Sequence, residues 1–341
     1  MSASAPAPAP AQPLRSVALR TAAGARFLGL GRSLPRTVVR NADLEARLDT
    51  SDAWIRERTG IIERRVADPG QTTADLAVAA GADALHGSGI DPADVDVVIV
   101  ATTTPDTACP ATAASVQDRL GAAGAAFDLN AACAGFAYAL YVGIGMLAAG
   151  SVEHVLVIGA DRFTALIDPD DRATAILFGD GAGAVLLGSA GPGLESGEGP
   201  GLLGADLGGD GGALSALHVP HGERYVSMDG QEVYRRATRA LVTSCSAAMS
   251  AASASGPDDV DLFVPHQANA RIIEAAARRL HIPAERVVVN VARYGNTSAA
   301  SVPIALADAA DEGRLPDGSR VLLAGIGAGM AWASLFVRWG R

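Results

Sequence analysis

Two kinds of apolar run alternate along the chain. Short β-branched or continuously apolar runs at 26–30, 95–101, 126–129, 154–158 and 183–187, and again at 262–264, 287–290, 320–324 and 331–338, predict strands. Between them, helical patterns cover 41–48, 72–86, 111–120, 134–149, 232–252, 268–280 and 298–312. This order predicts a layered α/β architecture. The longest apolar stretches, VDVVIV and VLLAGIGAGMAWASLFV, are β-branched or broken by glycine, which suits buried strands better than membrane-crossing helices.

An internal repeat refines the picture. PADVDVVIV, starting at Pro92, is echoed by PDDVDLFVP, starting at Pro257, and GDGAGAVLLG at Gly179 by GIGAGMAWAS at Gly325. Two echoes in one order favour two similar α/β halves, 25–190 and 213–341, joined by a Gly-rich connection at 191–212. Residues 1–24 begin MSASAPAPAPAQP, which lacks the apolar core of a signal peptide and predicts a disordered lead-in. Halves packed face to face would gather loops from equivalent strand ends around one cleft.

Composition narrows the function classes. The 341 residues are 49% hydrophobic but only 4% aromatic, enough for a large aliphatic core. A net charge of -10 argues against a nucleic-acid surface and leaves local basic clusters as devices for meeting acidic partners. Three scattered cysteines form no disulfide framework, so a reducing cytoplasm is expected. The HVPH pair His218 and His221 has no further ligands nearby, and no metal site is expected.

Three short motifs carry candidate chemistry. In DLNAACAGFAYAL, an extended run ends and a small-residue helix begins at Cys133, where free N–H groups and the helix dipole favour a thiolate. The small neighbours Ala131, Ala132, Ala134 and Gly135 leave room for an acyl chain and for an oxyanion. In VPHQANARI, His266 follows a strand and precedes a helix, the usual place for a side chain that points into a cleft. In YGNTSAAS, Asn296 stands in a Gly-Asn turn before a helix that Ser298 could cap. Each alone has an ordinary structural reading: a buried cysteine, a core histidine, a turn asparagine. Together they supply a thiolate, an imidazole and a carboxamide, the parts required for thioester carbon chemistry.

With SDAWIRERTGI, FDLNAACAGF, DPDDRATAILFGDGAGA, VPHQANARII, GNTSAASVP and GIGAGMAW, the chain from about Arg26 to its C-terminus resembles the β-ketoacyl-acyl-carrier-protein synthase III family. That resemblance implies a thiolase-like fold of two similar halves in a layered α-β-α-β-α core, acting as a homodimer. It implies Cys133 as the acyl-carrying nucleophile, His266 and Asn296 as the pair supporting decarboxylation, and backbone N–H groups of Cys133 and Ala328 as the oxyanion site. The substrates implied are an acyl-CoA starter and malonyl-acyl-carrier protein, with no metal or redox cofactor.

Further roles follow from the same resemblance. Trp54 and Arg172 would sandwich the CoA adenine, Arg58 would meet its phosphates and Asn269 the pantetheine arm. Helix spacing, not the resemblance, puts Arg271 and Arg278 two turns apart on one face beside Arg279; with Arg235, Arg236 and Arg239 they could form a basic patch where an acidic carrier protein docks, or simply a solvated helix face. Sibling chemistries lack their residues here: GIGAG has no second cysteine for a degradative thiolase, and Asn296 replaces the second histidine of elongating synthases. The chain also departs from the family at two substrate-pocket positions, with Cys109 and Ile326 where phenylalanines are common. A smaller residue at the first predicts starters bulkier than acetyl. Two other outcomes remain open at this point: acyl transfer to an alcohol or amine, and a non-catalytic carrier-binding subunit.

Overall fold

The computed structural model describes residues 15–19, 23–190, 199–254 and 256–341. Its strands are β1 (Arg15–Leu19), β2 (Ala23–Ser33), β3 (Thr37–Arg40), β4 (Glu63–Val66), β5 (Val97–Ala101), β6 (Ala125–Leu129) and β7 (His154–Asp161). After these come β8 (Gly181–Ser189), β9 (Gly201–Gly209), β10 (Leu217–His218), β11 (Ser227–Met228), β12 (Leu262–Pro265), β13 (Arg320–Gly327) and β14 (Ala331–Arg338). One large sheet runs β12, β13, β14, β9, β2, β8, β7, β5, β6, with β1 also on β9.

The sheet contains two copies of one pattern. β2 pairs antiparallel with β8 and β8 with β7, while β7, β5 and β6 are parallel. On the other side β9 pairs antiparallel with β14 and β14 with β13, while β13 and β12 are parallel. β2 joins the two by changing partner: Ala23 and Gly24 pair with β9, and the residues from Ala25 onward with β8. The first sequence echo falls in register, since each copy folds as a 3₁₀ turn (Pro92–Asp94, Pro257–Asp259) leading into β5 or β12. The second does not: Gly181 opens β8, whereas its counterpart Gly327 closes β13.

Period-2 alternation on strands buried at both faces explains the layering. On β7, Val155 and Val157 face the shared core, while Leu156 and Ile158 face an outer one packed with Ala77, Ala80 and Val116. On β14, Ala333, Leu335 and Val337 face the same shared core, and Trp332 and Phe336 face the outer cluster of Leu241, Ile272 and Ile273. The shared core is filled by the helices Gly135–Ala148 and Ser301–Asp311, giving the α-β-α-β-α layering. Each fully buried Val, Leu or Ile there contributes about 1.5–3 kcal/mol of transfer free energy. The helix Thr73–Ser88 begins with a reciprocal capping box between Thr72 and Asp75, and Gly89 ends it in the left-handed region.

Several expectations are corrected. The stretch 191–212, read as a connection, contains β9, which lies inside the large sheet. Its glycines hid it: a Cβ on Gly204 would come 2.4 Å from the Ala248 carbonyl oxygen, so the strand is glycine-rich where the helix Gly230–Ala251 crosses it closely. Part of the predicted lead-in, Arg15–Leu19 and Ala23–Gly24, is likewise strand paired to β9; residues 1–14 and 20–22 lie outside the described residues, as do 191–198 of the connection. The strand expected at 287–290 is reduced to one bridge between Val287 and Phe263, and the chain turns into the short helix Val291–Tyr294.

Candidate active site

Cys133, His266 and Asn296 line one cavity of about 910 Å³, with Trp54, Arg58, Asn269, Ile326 and Ala328 on its wall. Each side chain arrives from a loop that follows a strand or opens a helix. β6 ends at Leu129, and Ala132, at φ +49°, turns the chain so that Cys133 stands just before the helix Gly135–Ala148. The turn carrying Ala328 packs directly on this loop. A Cβ on Gly327 would sit 2.5 Å from the Cys133 backbone nitrogen, so only glycine permits the approach.

Cys133 is 4% exposed, and its Sγ lies 3.3 Å from the Ser298 hydroxyl. Burial pushes its thiol up to about 12, and the Ser298 hydrogen bond opposes that rise without cancelling it. The thiolate preference expected from the helix start is therefore outweighed by desolvation. His266 follows β12, its N–H donating to the Ala324 carbonyl at 2.7 Å, and its Nδ1 lies 2.5 Å from the Ser301 Oγ. Burial lowers its imidazole to about 3, so the ring is neutral near pH 7.

Asn296 is fixed at both ends of its peptide: its N–H donates to Leu177 and its carbonyl accepts from Gly179. Its Oδ1 accepts the Ser298 N–H at 2.9 Å. The side-chain NH2 is thus the end that remains to donate.

The four residues expected at the nucleotide lie close together, Trp54, Arg58 and Asn269 on the cavity wall and Arg172 against Trp54. Arg172 stacks on Trp54 at 5.1 Å and Arg58 lies 5.8 Å from the same ring. Asn269 caps the helix Ala270–Leu280 through its Oδ1 and donates from Nδ2 to the Arg58 carbonyl, which ties the two lining residues together. Cys109 is exposed and is not among the cavity-lining residues, whereas Ile326 is buried in the wall.

The basic cluster is less free than its sequence implies. Arg235 and Arg236 both pair with Glu232, and Arg236 also with Asp210; Arg278 lies 3.8 Å from Glu274. Arg271 stacks on Tyr234 at the cavity rim, 5.8 Å from the ring centre.

Four polar residues of the site carry no chemical role in the sequence expectations, where Ser298 figures only as a helix-cap candidate. Ser298 and Ser301 lie inside the quoted GNTSAAS motif, and Gln267 follows His266 directly. The Gln267 amide donates to Pro265 and Val288 and accepts from Asn290 and Val291, which holds the loop after His266. Asp161, fully buried at the end of β7, accepts from Thr102, Thr103 and Thr104 with one oxygen and from the Ala299 N–H with the other. It thereby ties the loop after β5 to the turn that carries Ser298. An acidic residue closing the apolar run VLVIGAD was the available signal.

Comparison with known proteins shows the family. Residues 127–211 match the family profile described as 3-Oxoacyl-[acyl-carrier-protein (ACP)] synthase III, and residues 250–339 its C-terminal counterpart. A β-ketoacyl-[acyl-carrier-protein] synthase III from Streptomyces coelicolor is 50% identical over 320 residues, covering 93% of this chain and 94% of its own. The crystal structure of 3-oxoacyl-[acyl-carrier-protein] synthase III from Aquifex aeolicus superposes with a TM-score of 0.89 at 40% identity, over 93% of this chain and all of that one. The priming β-ketosynthase of the R1128 polyketide pathway superposes at 0.85 with 36% identity, over 95% and 98%. The chain belongs to the β-ketoacyl-acyl-carrier-protein synthase III family, whose members are acyl-transferring condensing enzymes on the thiolase fold.

Proposed function

We propose that Cys133 accepts an acyl group from acyl-CoA and that the chain then condenses it with malonyl-acyl-carrier protein. The observation that carries this reading is the donor arrangement: a nucleophile shares its cavity with a neutral imidazole and a carboxamide whose oxygen is taken by the Ser298 N–H, leaving its NH2 to donate. In the first half-reaction the Cys133 sulfur attacks the thioester, the oxyanion is held by the N–H groups of Cys133 and Ala328, and CoA departs with the proton. In the second, malonyl thioester loses carbon dioxide, and its enolate oxygen receives hydrogen bonds from His266 and Asn296. The carbanion attacks the acyl carbon, Cys133 leaves as a thiolate that takes up a proton from solvent, and a 3-oxoacyl-carrier protein two carbons longer than the starter is formed. No step requires a metal or an electron carrier.

Acyl transfer to an alcohol or amine would need only the nucleophile and the oxyanion site, and would leave the donor pair of His266 and Asn296 without a task. The edge strand β6, with Phe127 and Leu129 half-buried, supports a homodimer. In such a dimer the exposed Cys109 would reach the partner's acyl pocket. Among the described residues no helix is long and apolar enough to cross a membrane, and the free thiols suit a cytoplasmic location. The test is a panel of acyl-CoAs with malonyl-carrier protein, read by mass. An adduct on Cys133 followed by a 3-oxoacyl product supports the reading; an adduct without a new carbon–carbon bond supports simple transfer, and no adduct supports a binding subunit.

A further inference from the structure

His266 has two ring nitrogens, and its chemistry depends on which carries the proton. A neutral imidazole has one donor and one acceptor, so the partner of Nδ1 decides what Nε2 can do. That partner is Ser301, whose Oγ lies 2.5 Å away at the start of the helix Ser301–Asp311. The same Oγ already accepts the Gln267 backbone N–H, at 3.3 Å. Ser301 is buried, and Nδ1 is the acceptor within reach of its hydroxyl proton.

The two tautomers therefore differ in how many groups are satisfied. If Nδ1 carried the proton, Ser301 would accept from both Gln267 and His266, and its own hydroxyl proton would be stranded in the interior. If Nδ1 is bare, the chain of Gln267 N–H to Ser301 Oγ, then Ser301 O–H to His266 Nδ1, leaves every group paired. The proton is then on Nε2, the nitrogen left to donate to a ligand in the cavity.

We propose that Ser301 is a positioning residue that locks His266 in the Nε2–H tautomer, making it a fixed hydrogen-bond donor to the enolate oxygen of the decarboxylating malonyl thioester. The proposal rests on the condensing reading of the site. It also separates the roles of two serines three residues apart: Ser298 touches the nucleophile and Ser301 the donor histidine. Without the Ser301 hydroxyl, the ring is free to place its proton on Nδ1 and to present a bare Nε2, which repels an enolate rather than stabilising it.

The experiment is nitrogen NMR of the full chain labelled with ¹⁵N-histidine, near pH 7.5, with His266 assigned by its absence in His266→Gln. The expected result is a protonated Nε2 and a bare Nδ1 in the unaltered protein, and a mixture of tautomers in Ser301→Ala. Carbon dioxide release from malonyl-carrier protein should fall about tenfold or more in Ser301→Ala, and Ser301→Thr, which keeps the hydroxyl, should recover most of it. A proton on Nδ1, or on both nitrogens, in the unaltered protein overturns the proposal even if Ser301→Ala does not fold. A Ser301→Ala protein that keeps the Nε2–H form overturns it as well. Failure of the condensing reading shows separately, as an unaltered protein that carries the Nε2–H tautomer but releases no carbon dioxide.

Discussion

The Arg172 guanidinium lies 5.1 Å from the centre of the Trp54 ring, held by the Asp49 carbonyl at 2.8 Å. Two flat groups that enclose a third need about 7 Å between them, two van der Waals layers of about 3.5 Å each. For the adenine sandwich that the resemblance implies, Arg172 would have to swing off Trp54, exchanging one stacking partner for another. Arg172→Ala should raise the KM for acyl-CoA about 3- to 10-fold with kcat nearly unchanged, since it removes binding shared by ground and transition states. Trp54→Ala should cost more. Steady-state kinetics with varied acyl-CoA decides, and an unchanged KM in both variants removes these residues from the nucleotide site.

Asn296→Ala should separate the two half-reactions. Its NH2 is proposed to donate to the enolate, so decarboxylation should fall about 10²- to 10³-fold, the usual loss for one preorganised donor. Acylation of Cys133 should survive and be visible by mass. A variant that neither decarboxylates nor accepts an acyl group would instead mark Asn296 as structural, through its hold on Ser298.

The buried His266 makes stability depend on acid. Its folded-state value, lowered to about 3 by burial, lies below the ordinary 6.5, so the unfolded chain takes up a proton that the folded chain refuses. Stability is full above pH 6.5 and falls as pH drops from there towards 3. At pH 5 the loss from this one group is about 2 kcal/mol. Denaturant unfolding at pH 7.5 and pH 5 should show a smaller acid loss in His266→Gln by about that amount; equal losses would mean the histidine charges freely in the fold.

Cys109 tests the starter preference. A residue smaller than phenylalanine at the proposed dimer contact should admit branched acyl chains, giving comparable rates with acetyl-CoA and isobutyryl-CoA. Cys109→Phe should cut the branched rate sharply and spare acetyl. Unchanged preference would show that this position does not shape the acyl pocket.

Gly327→Ala probes the packing of one half against the other. The added methyl would meet the Cys133 nitrogen at 2.5 Å and force the nucleophile loop to move. Overpacking of this kind costs about 1–3 kcal/mol, and adduct formation should slow together with the drop in Tm. A Tm equal to that of the unaltered protein would show that the loop yields without strain.

The sequence by itself determined the layered α/β fold and most of the large strands, and it singled out Cys133, His266 and Asn296, which line one cavity. It could do so because strand and helix periodicity and motif spacing are local properties of the chain. β9 was hidden because its glycines are placed for the close approach of a helix, a requirement set by a neighbour and invisible in the strand's own pattern. The tertiary structure alone decided the protonation chemistry. A helix start argues for a thiolate at Cys133, yet burial raises the thiol, and burial lowers His266 to neutrality. Desolvation is summed over everything packed around a group, and so it exists only once the two halves have closed on each other.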